Sequence, residues 1–361
     1  MQSRNYIIDF YRCILMICVI IGHTYYSIFR IPGERLVICH NLAVDCFFMI
    51  SGLFMAKQID SMISDGLSPY NQFVEFQVNR LKRLYPVYFL YLIFIEVYRI
   101  SKGLSVIDEF ISFWPSIFMM SGLNTWSAIS VEWYVNALFW VGFVISGLLF
   151  INKELAVKYI FPILIWLDFS LIHAVYEGLN LNANNPLGGV ITAGVFKAIL
   201  GITVGMEIYY ISKIEYLKEL LKKAKIVVFV GEIIAIVALI YCFSRKSPGQ
   251  TDYIVYFGFP LILFLSFNNC NLCLRPLNKK IWQKIGIHTY TIYLTHQIVI
   301  YVYRELDFQN LIGEKNTYLL LVCISFAVGV ILDKVIKIIC SLFKSCSWKG
   351  VVVANIKNGK N

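Results

Sequence analysis

The chain has 361 residues, 58% of them hydrophobic and only 15% charged, with a mean hydropathy of +0.68. Those values exclude a soluble globular enzyme and a disordered chain, and apolar runs recurring from end to end make this a polytopic membrane protein. The net charge of +10 lies in short basic clusters between apolar runs, a pattern that sets membrane topology, so no nucleic-acid partner is expected.

The first residues, MQSRNYIIDFYR, offer no small-residue cleavage site, and Asp9 and Arg12 interrupt their apolar run. The first span is therefore read as retained rather than as a signal peptide. Apolar segments of spanning length follow near 7–29, 37–56, 84–100, 130–151, 156–176, 187–211, 226–243, 253–269, 285–303 and 317–343. Between the second and third, YNQFVEFQVNRLKRLYP has apolar Phe73, Phe76 and Leu81 and basic Arg80, Lys82 and Arg83 before Pro86. It predicts an interfacial amphipathic helix, with plain anchoring at the membrane edge as the alternative. A shorter apolar run, 106–121, starts with Asp108 and Glu109 and contains Pro115. If it spans, the loops 213–225 and 275–280 face opposite sides of the membrane. If it lies at the surface or re-enters, ten spans put every Lys- and Arg-rich loop and the Lys-bearing tail inside. The positive-inside bias selects ten spans with both termini cytoplasmic, as one all-α membrane domain over 1–350 and a short cytoplasmic tail, 351–361. The ten cysteines are scattered; Cys270 and Cys273 form one CxxC with no second pair nearby. Structural zinc needs four ligands, so no metal is expected.

Four polar groups sit where hydrocarbon makes them expensive. In RCILMICVIIGH, eleven residues at 100° each bring His23 back to within about 20° of the face of Arg12, about 16 Å along the axis. Asp9 is one turn before Arg12, at ion-pair spacing. Arg12 alone also reads as an anchor that snorkels to the inner interface, and His23 as a buried histidine bonded to another helix. Asp45 in AVDCFFMISG, Glu132 in SAISVEWYVN and His296 in GIHTYTIYLTH reach similar depths in the outer half of three other spans. Intramembrane ionisable groups normally face a cavity or one another, so four at matched depth suggest a site. A histidine, with an ordinary pKa of about 6.5, can take a proton at neutral pH, and a carboxylate on its other nitrogen can fix its tautomer. Such a pair would activate an acceptor hydroxyl. Arg12, Arg80, Lys82 and Arg83 gather at the inner face, where guanidinium groups suit phosphates. A phosphate-bearing donor held there, with its reactive end reaching His23, explains the spacing. His296 and Tyr293 read equally as packing residues, Ser51 and Gly52 as small residues that allow close helix contact, and His40, His173 and His288 are given no role.

These segments resemble the acyltransferase 3 family of integral membrane acyltransferases. The resemblance rests on Arg12-X10-His23 after Asp9, on VDCFFMISG (44–52), NRLKRLYP (79–86), WSAISVEWY (126–134) and GIHTYTIYLTH (286–296), in the family's order. It implies ten core helices and transfer of an acyl group, commonly acetyl, from cytoplasmic acyl-CoA to an acceptor across the membrane, often a sugar hydroxyl of a surface polysaccharide. It implies that His23 is catalytic and Arg12 is tied to the donor, with functional roles for Asp45, Arg80 and Arg83. The expected site is then His23, Asp45 and Glu132 as catalytic residues, Arg12, Arg80 and Arg83 at the donor, and Asp9, Tyr290 and His296 in support. The family's Trp-X-Leu-X-X-Glu becomes Trp126-Ser-Ala-Ile-Ser-Val-Glu132 here, with a different spacing. No esterase-like domain is expected after the last span, though a partner could supply one. The expected protein is a membrane-bound O-acyltransferase of the inner (plasma) membrane, with acetyl-CoA or another acyl-CoA as donor and no metal. Its expected partners are membrane lipid, a glycan acceptor and glycan-assembly proteins. The competing reading is a transporter or flippase of polysaccharide or lipid-linked glycan, which has no need for a histidine and a cationic phosphate binder along one stripe. A polymerase, weaker still, would need a large outer loop.

Overall fold

The computed structural model describes residues 5–29, 40–63, 68–121, 131–176, 186–187, 191–245, 249–308 and 312–345. The predicted tail, 351–361, and Trp126 lie outside the described residues. The helices are α1 (Ile7–Thr24, continued by a π-helical turn, Tyr25–Phe29), α2 (His40–Ile63), α3 (Pro69–Ser101), α4 (Val106–Ile117), α5 (Glu132–Leu155), α6 (Phe161–Tyr176) and α7 (Ala193–Ile211). They continue with α8 (Glu215–Lys223), α9 (Lys225–Ser244), α10 (Val255–Phe267), α11 (Ile281–Gly286), α12 (Thr289–Glu305) and α13 (Glu314–Ser345). Pro186–Leu187 and Ile191–Thr192 pair as a two-residue antiparallel ladder before α7.

Eight helical runs are long and apolar enough to cross a membrane. One of them, Glu132–Val175, has 44 residues, about 66 Å if straight and twice the hydrocarbon thickness. Asn152 breaks it. Its φ of −155° and ψ of 96° are non-helical, and its Oδ1 accepts the N–H of Leu155 at 2.9 Å, the bond of an N-cap residue three positions before. Both α5 and α6 pack on the 19-residue α7, so the chain folds back at Asn152 as two spans. With α12, whose 17 residues reach about 26 Å, the described helices provide the ten crossings that the sequence predicts for an all-α multi-pass protein.

The ambiguous segment is α4. Its 12 residues cover only about 18 Å, too short to cross. Ile107, Phe110, Ile111 and Trp114 are exposed along it, as on a helix lying in the interface. Sidedness agrees: Asn5, Lys222, Lys225, Arg275 and Asn278 border one cavity, so the two basic loops and the start of α1 share a face of the bundle.

One expectation needs correction. Residues 70–86 are not a separate interfacial helix but the first half of the 33-residue α3, which runs on through Pro86. A proline inside a helix costs about 3 kcal/mol, and here packing on α5 offsets it. Phe73 meets Phe150 edge-on and Phe76 meets it at a tilt, each with ring centroids 5.9 Å apart, and the Gln77 amide donates to Ser146 at 2.8 Å.

The centre of the bundle is the α2–α7 pair. A Cβ on Gly52 would overlap the carbonyl oxygen of Ile202, and one on Gly205 that of Met49. Only glycine permits this backbone-to-backbone approach. At the periphery, α9 and α13 are each only 28% buried along their crossing windows.

Candidate functional site

A cavity of about 570 Å³ opens at the end of the bundle where α1 begins. Arg12, Arg80, Lys82, Arg83 and Lys337 line it, with Asp333 as its acidic group among the described residues. Arg12 extends from the first turns of α1, pairs with Asp9 at 3.2 Å and lies over the Phe54 ring at 4.9 Å. The predicted Asp9–Arg12 pair is present. Arg80 is buried on α3, donating to Gln77 Oε1 at 3.0 Å and to the Leu138 carbonyl at 2.7 Å. Gly142 leaves the space its guanidinium occupies. Tyr290, on α12, lines the cavity and donates to the Leu84 carbonyl at 2.9 Å. Asp333 is held by Lys337 at 2.5 Å and by His288 Nδ1 at 2.6 Å. A cavity this rich in cations attracts a polyanionic ligand.

Helix directions place Phe47, Tyr134 and Tyr293 at its far end. The Tyr134 and Tyr293 rings are 4.9 Å apart, and the Tyr293 hydroxyl donates to the Val131 carbonyl at 3.2 Å. Immediately past them is a group of imidazoles. The His23 ring lies 5.0 Å from that of His40 and 5.1 Å from that of His296, and His296 is 5.6 Å from Tyr293. Gly22 is required here, because a Cβ would overlap the His40 ring. His296 Nδ1 meets the Tyr293 carbonyl at 2.5 Å, whereas its Nε2 is buried without a partner among the described residues. A neutral imidazole that donates through Nδ1 presents Nε2 as an acceptor.

The remaining predicted residues have other partners. Asp45 and Lys197 form an ion pair at 3.0 Å with both side chains fully buried, and the Tyr256 hydroxyl donates to Asp45 at 3.0 Å. Glu132 accepts from Tyr88 at 3.1 Å and from Ser121 at 2.8 Å, tying the start of α5 to α3 and to the end of the α4 segment. The structure thus brings His23 to His296, gathers Arg12, Arg80, Arg83 and Tyr290 around one cavity with Asp9 beside Arg12, and directs Asp45 and Glu132 elsewhere. Sequence reasoning missed His40 and Lys197. Lys197 was legible as a lone lysine in GVFKAILG, since a cation at that depth demands a buried partner. His40 begins the helix antiparallel to α1, which returns it to the level of His23.

Neither a curated protein nor a solved structure matches the chain. A family model described as an acyltransferase domain matches residues 5–333, a stretch that includes Asp333 and the cavity's cations except Lys337, and all three clustered histidines. A match over nearly the whole chain settles the family: the protein belongs to these acyltransferases, and is a multi-pass membrane acyltransferase.

Proposed function

We propose that the protein is an O-acyltransferase that moves an acyl group, acetyl in the simplest case, from cytoplasmic acyl-CoA to a hydroxyl of a surface polysaccharide or lipid-linked glycan. The observation that carries this reading lies along α1. Arg12 lines the cation-rich cavity, and His23 stands with two imidazoles just past its aromatic end. The phosphates of CoA suit Arg12, Lys82 and Arg83, with Arg80 braced behind them. The narrow, uncharged pantetheine arm then extends toward Tyr134 and Tyr293.

His23 is only partly buried, whereas His296 is fully buried, so His23 is the imidazole a substrate can reach. In this reading it accepts the proton of the acceptor hydroxyl as that oxygen attacks the thioester carbonyl. The carbon–sulfur bond breaks, and the departing thiolate takes the proton from the imidazolium. His296 is a positioning residue, its Nε2 available to an N–H of His23. Asp45 and Glu132 are also positioning residues, holding α2 to α7 and α10 and holding α5 to α3. In this reading the basic loops and the donor are on the cytoplasmic side, in keeping with the positive-inside bias, the membrane is the plasma membrane, and glycan-assembly proteins deliver the acceptor.

The test is His23→Gln, which keeps hydrogen bonding but cannot titrate. In cells making the variant at normal level, NMR of the surface glycan should show normal glycan amount with acyl transfer reduced by about 10²–10⁴. Full acylation refutes the role of His23, and loss of the glycan itself would favour transport.

A further inference from the structure

A second cavity, of about 390 Å³, lies at the same end of the bundle beside the start of α1. Its wall carries three cations, Lys222, Lys225 and Arg275, and no acidic side chain among its described lining residues. Lys222 also pairs with Glu219 at 2.8 Å on α8.

The wall is held in place from several directions. Glu232, fully buried on α9 two turns from Lys225, accepts from the Asn271 amide at 2.9 Å and from the backbone N–H groups of Leu272, Cys273 and Leu274 at 2.8, 2.7 and 3.1 Å. That fixes the loop bearing Arg275 against the helix bearing Lys225. Asn278 Oδ1 accepts the Tyr6 N–H at 2.8 Å, and the Asn5 amide donates to the Ser266 carbonyl at 2.6 Å. The chain therefore clamps four segments around an open, positively charged space.

Two observations indicate what fills it. Asn271 lines the cavity and is 5% exposed, with its N–H committed to Glu232, yet its Oδ1 has no donor among the described residues. Buried amide oxygens are normally paired, so this one suits a hydroxyl of a ligand. Just past Lys225, the peripheral helix α9 exposes Phe229 and Ile233 on the flank of its cavity-facing side, and Ile226, Val230 and Ile234 further round, an apolar surface suited to lipid chains. Cation, amide and hydrocarbon surface thus adjoin, as in sites for anionic headgroups between membrane helices.

We propose that this cavity binds the headgroup of an anionic phospholipid, its phosphate on Lys222, Lys225 and Arg275, a headgroup hydroxyl on Asn271 Oδ1, and its acyl chains along α9. The site is separate from the donor cavity and takes no part in acyl transfer.

Native mass spectrometry of the detergent-purified full chain tests this, with phosphatidylglycerol, phosphatidic acid, phosphatidylcholine and soluble sn-glycerol 3-phosphate as probes. One phosphatidylglycerol should be retained, more tightly than phosphatidic acid, which lacks the headgroup hydroxyl, and far more tightly than phosphatidylcholine. Lys225→Gln with Arg275→Gln should weaken retention about tenfold or more, as lost charge-assisted phosphate contacts do. Both residues are exposed, so the variant should fold. Lys279→Gln with Lys280→Gln, on the same loop but outside the cavity, should bind like the wild type. An equal loss in that control would mean diffuse surface attraction and overturn the site. Tight capture of soluble glycerol phosphate would overturn the lipid as its occupant, and equal retention of phosphatidic acid would remove the role of Asn271.

Discussion

Asp45 and Lys197 meet with both side chains fully buried, and each gives the other a partner in a region where an unpaired charge is expensive. Lys197→Met should therefore cost about 3–5 kcal/mol, because among the described residues it leaves the buried carboxylate with only Tyr256. Adding Asp45→Asn removes the orphaned charge, so the double variant should melt closer to the wild type. Thermal unfolding in detergent reads both, and a double variant no more stable than Lys197→Met would show that the pair is not the brace. The same residues show what a single chain reveals. Arg12, His23, Asp45, Glu132 and His296 stand out because each interrupts an apolar run. Depth follows from counting along a helix, but the direction a side chain faces depends on how its helix is rotated against its neighbours. Hence the polar interruptions themselves were legible, whereas the different partners that Asp45 and Glu132 find, away from the imidazoles, were not.

At the scale of helices, local signals and packing compete. The Asn152 turn was legible as a polar gap in INKEL between two apolar runs, since a chain of about 66 Å cannot cross once. Pro86 misled, because its cost is local whereas the rings and amide that hold α3 to α5 are distant in sequence. The α2–α7 seam was half legible: Gly52 invites close contact, but only the structure names its partners. Gly205→Ala should lower stability by about 1–3 kcal/mol, because its new methyl would overlap the Met49 carbonyl. Gly147→Ala is the contrast. There a Cβ would meet the Phe73 ring at 3.5 Å, an ordinary contact, so the variant should hold or gain about 0.4–1 kcal/mol. Paired melting curves check this, and equal gains in the two variants would show that helix propensity rather than the seam decides.

For the whole molecule, the distribution of Lys and Arg predicts sidedness, and the shared cavity around Lys225 and Arg275 supplies the geometric counterpart. On a cysteine-free background, probes at positions 218 and 279 should label from the cytoplasm only. Probes at 102 and 305, where Lys102 pairs with Glu305 at the opposite end, should label from outside. Outside labelling at 218 or 279 would reverse the topology. Composition and run length made the all-α multi-pass fold legible. The two cavities were not, because a cavity is a property of gaps between helices and no single helix encodes it.

The aromatic end of the cation-lined cavity bears on where the membrane voltage falls. Where that cavity opens to the cytoplasm, as proposed, it extends the cytoplasmic potential inward as far as Tyr134 and Tyr293, so the membrane voltage falls mainly across the thin layer that holds the histidines. Each elementary charge moved across the full voltage gains or loses about 2.3 kcal/mol per 100 mV. On the acyl-transfer reading, the outer hydroxyl exchanges its proton for the acyl group while the inner thioester does the reverse, so the charge on each side is unchanged and one turnover carries no net charge across that layer. The resting potential therefore adds no driving force to the overall reaction, and dissipating it should leave both the extent of transfer and donor affinity unchanged.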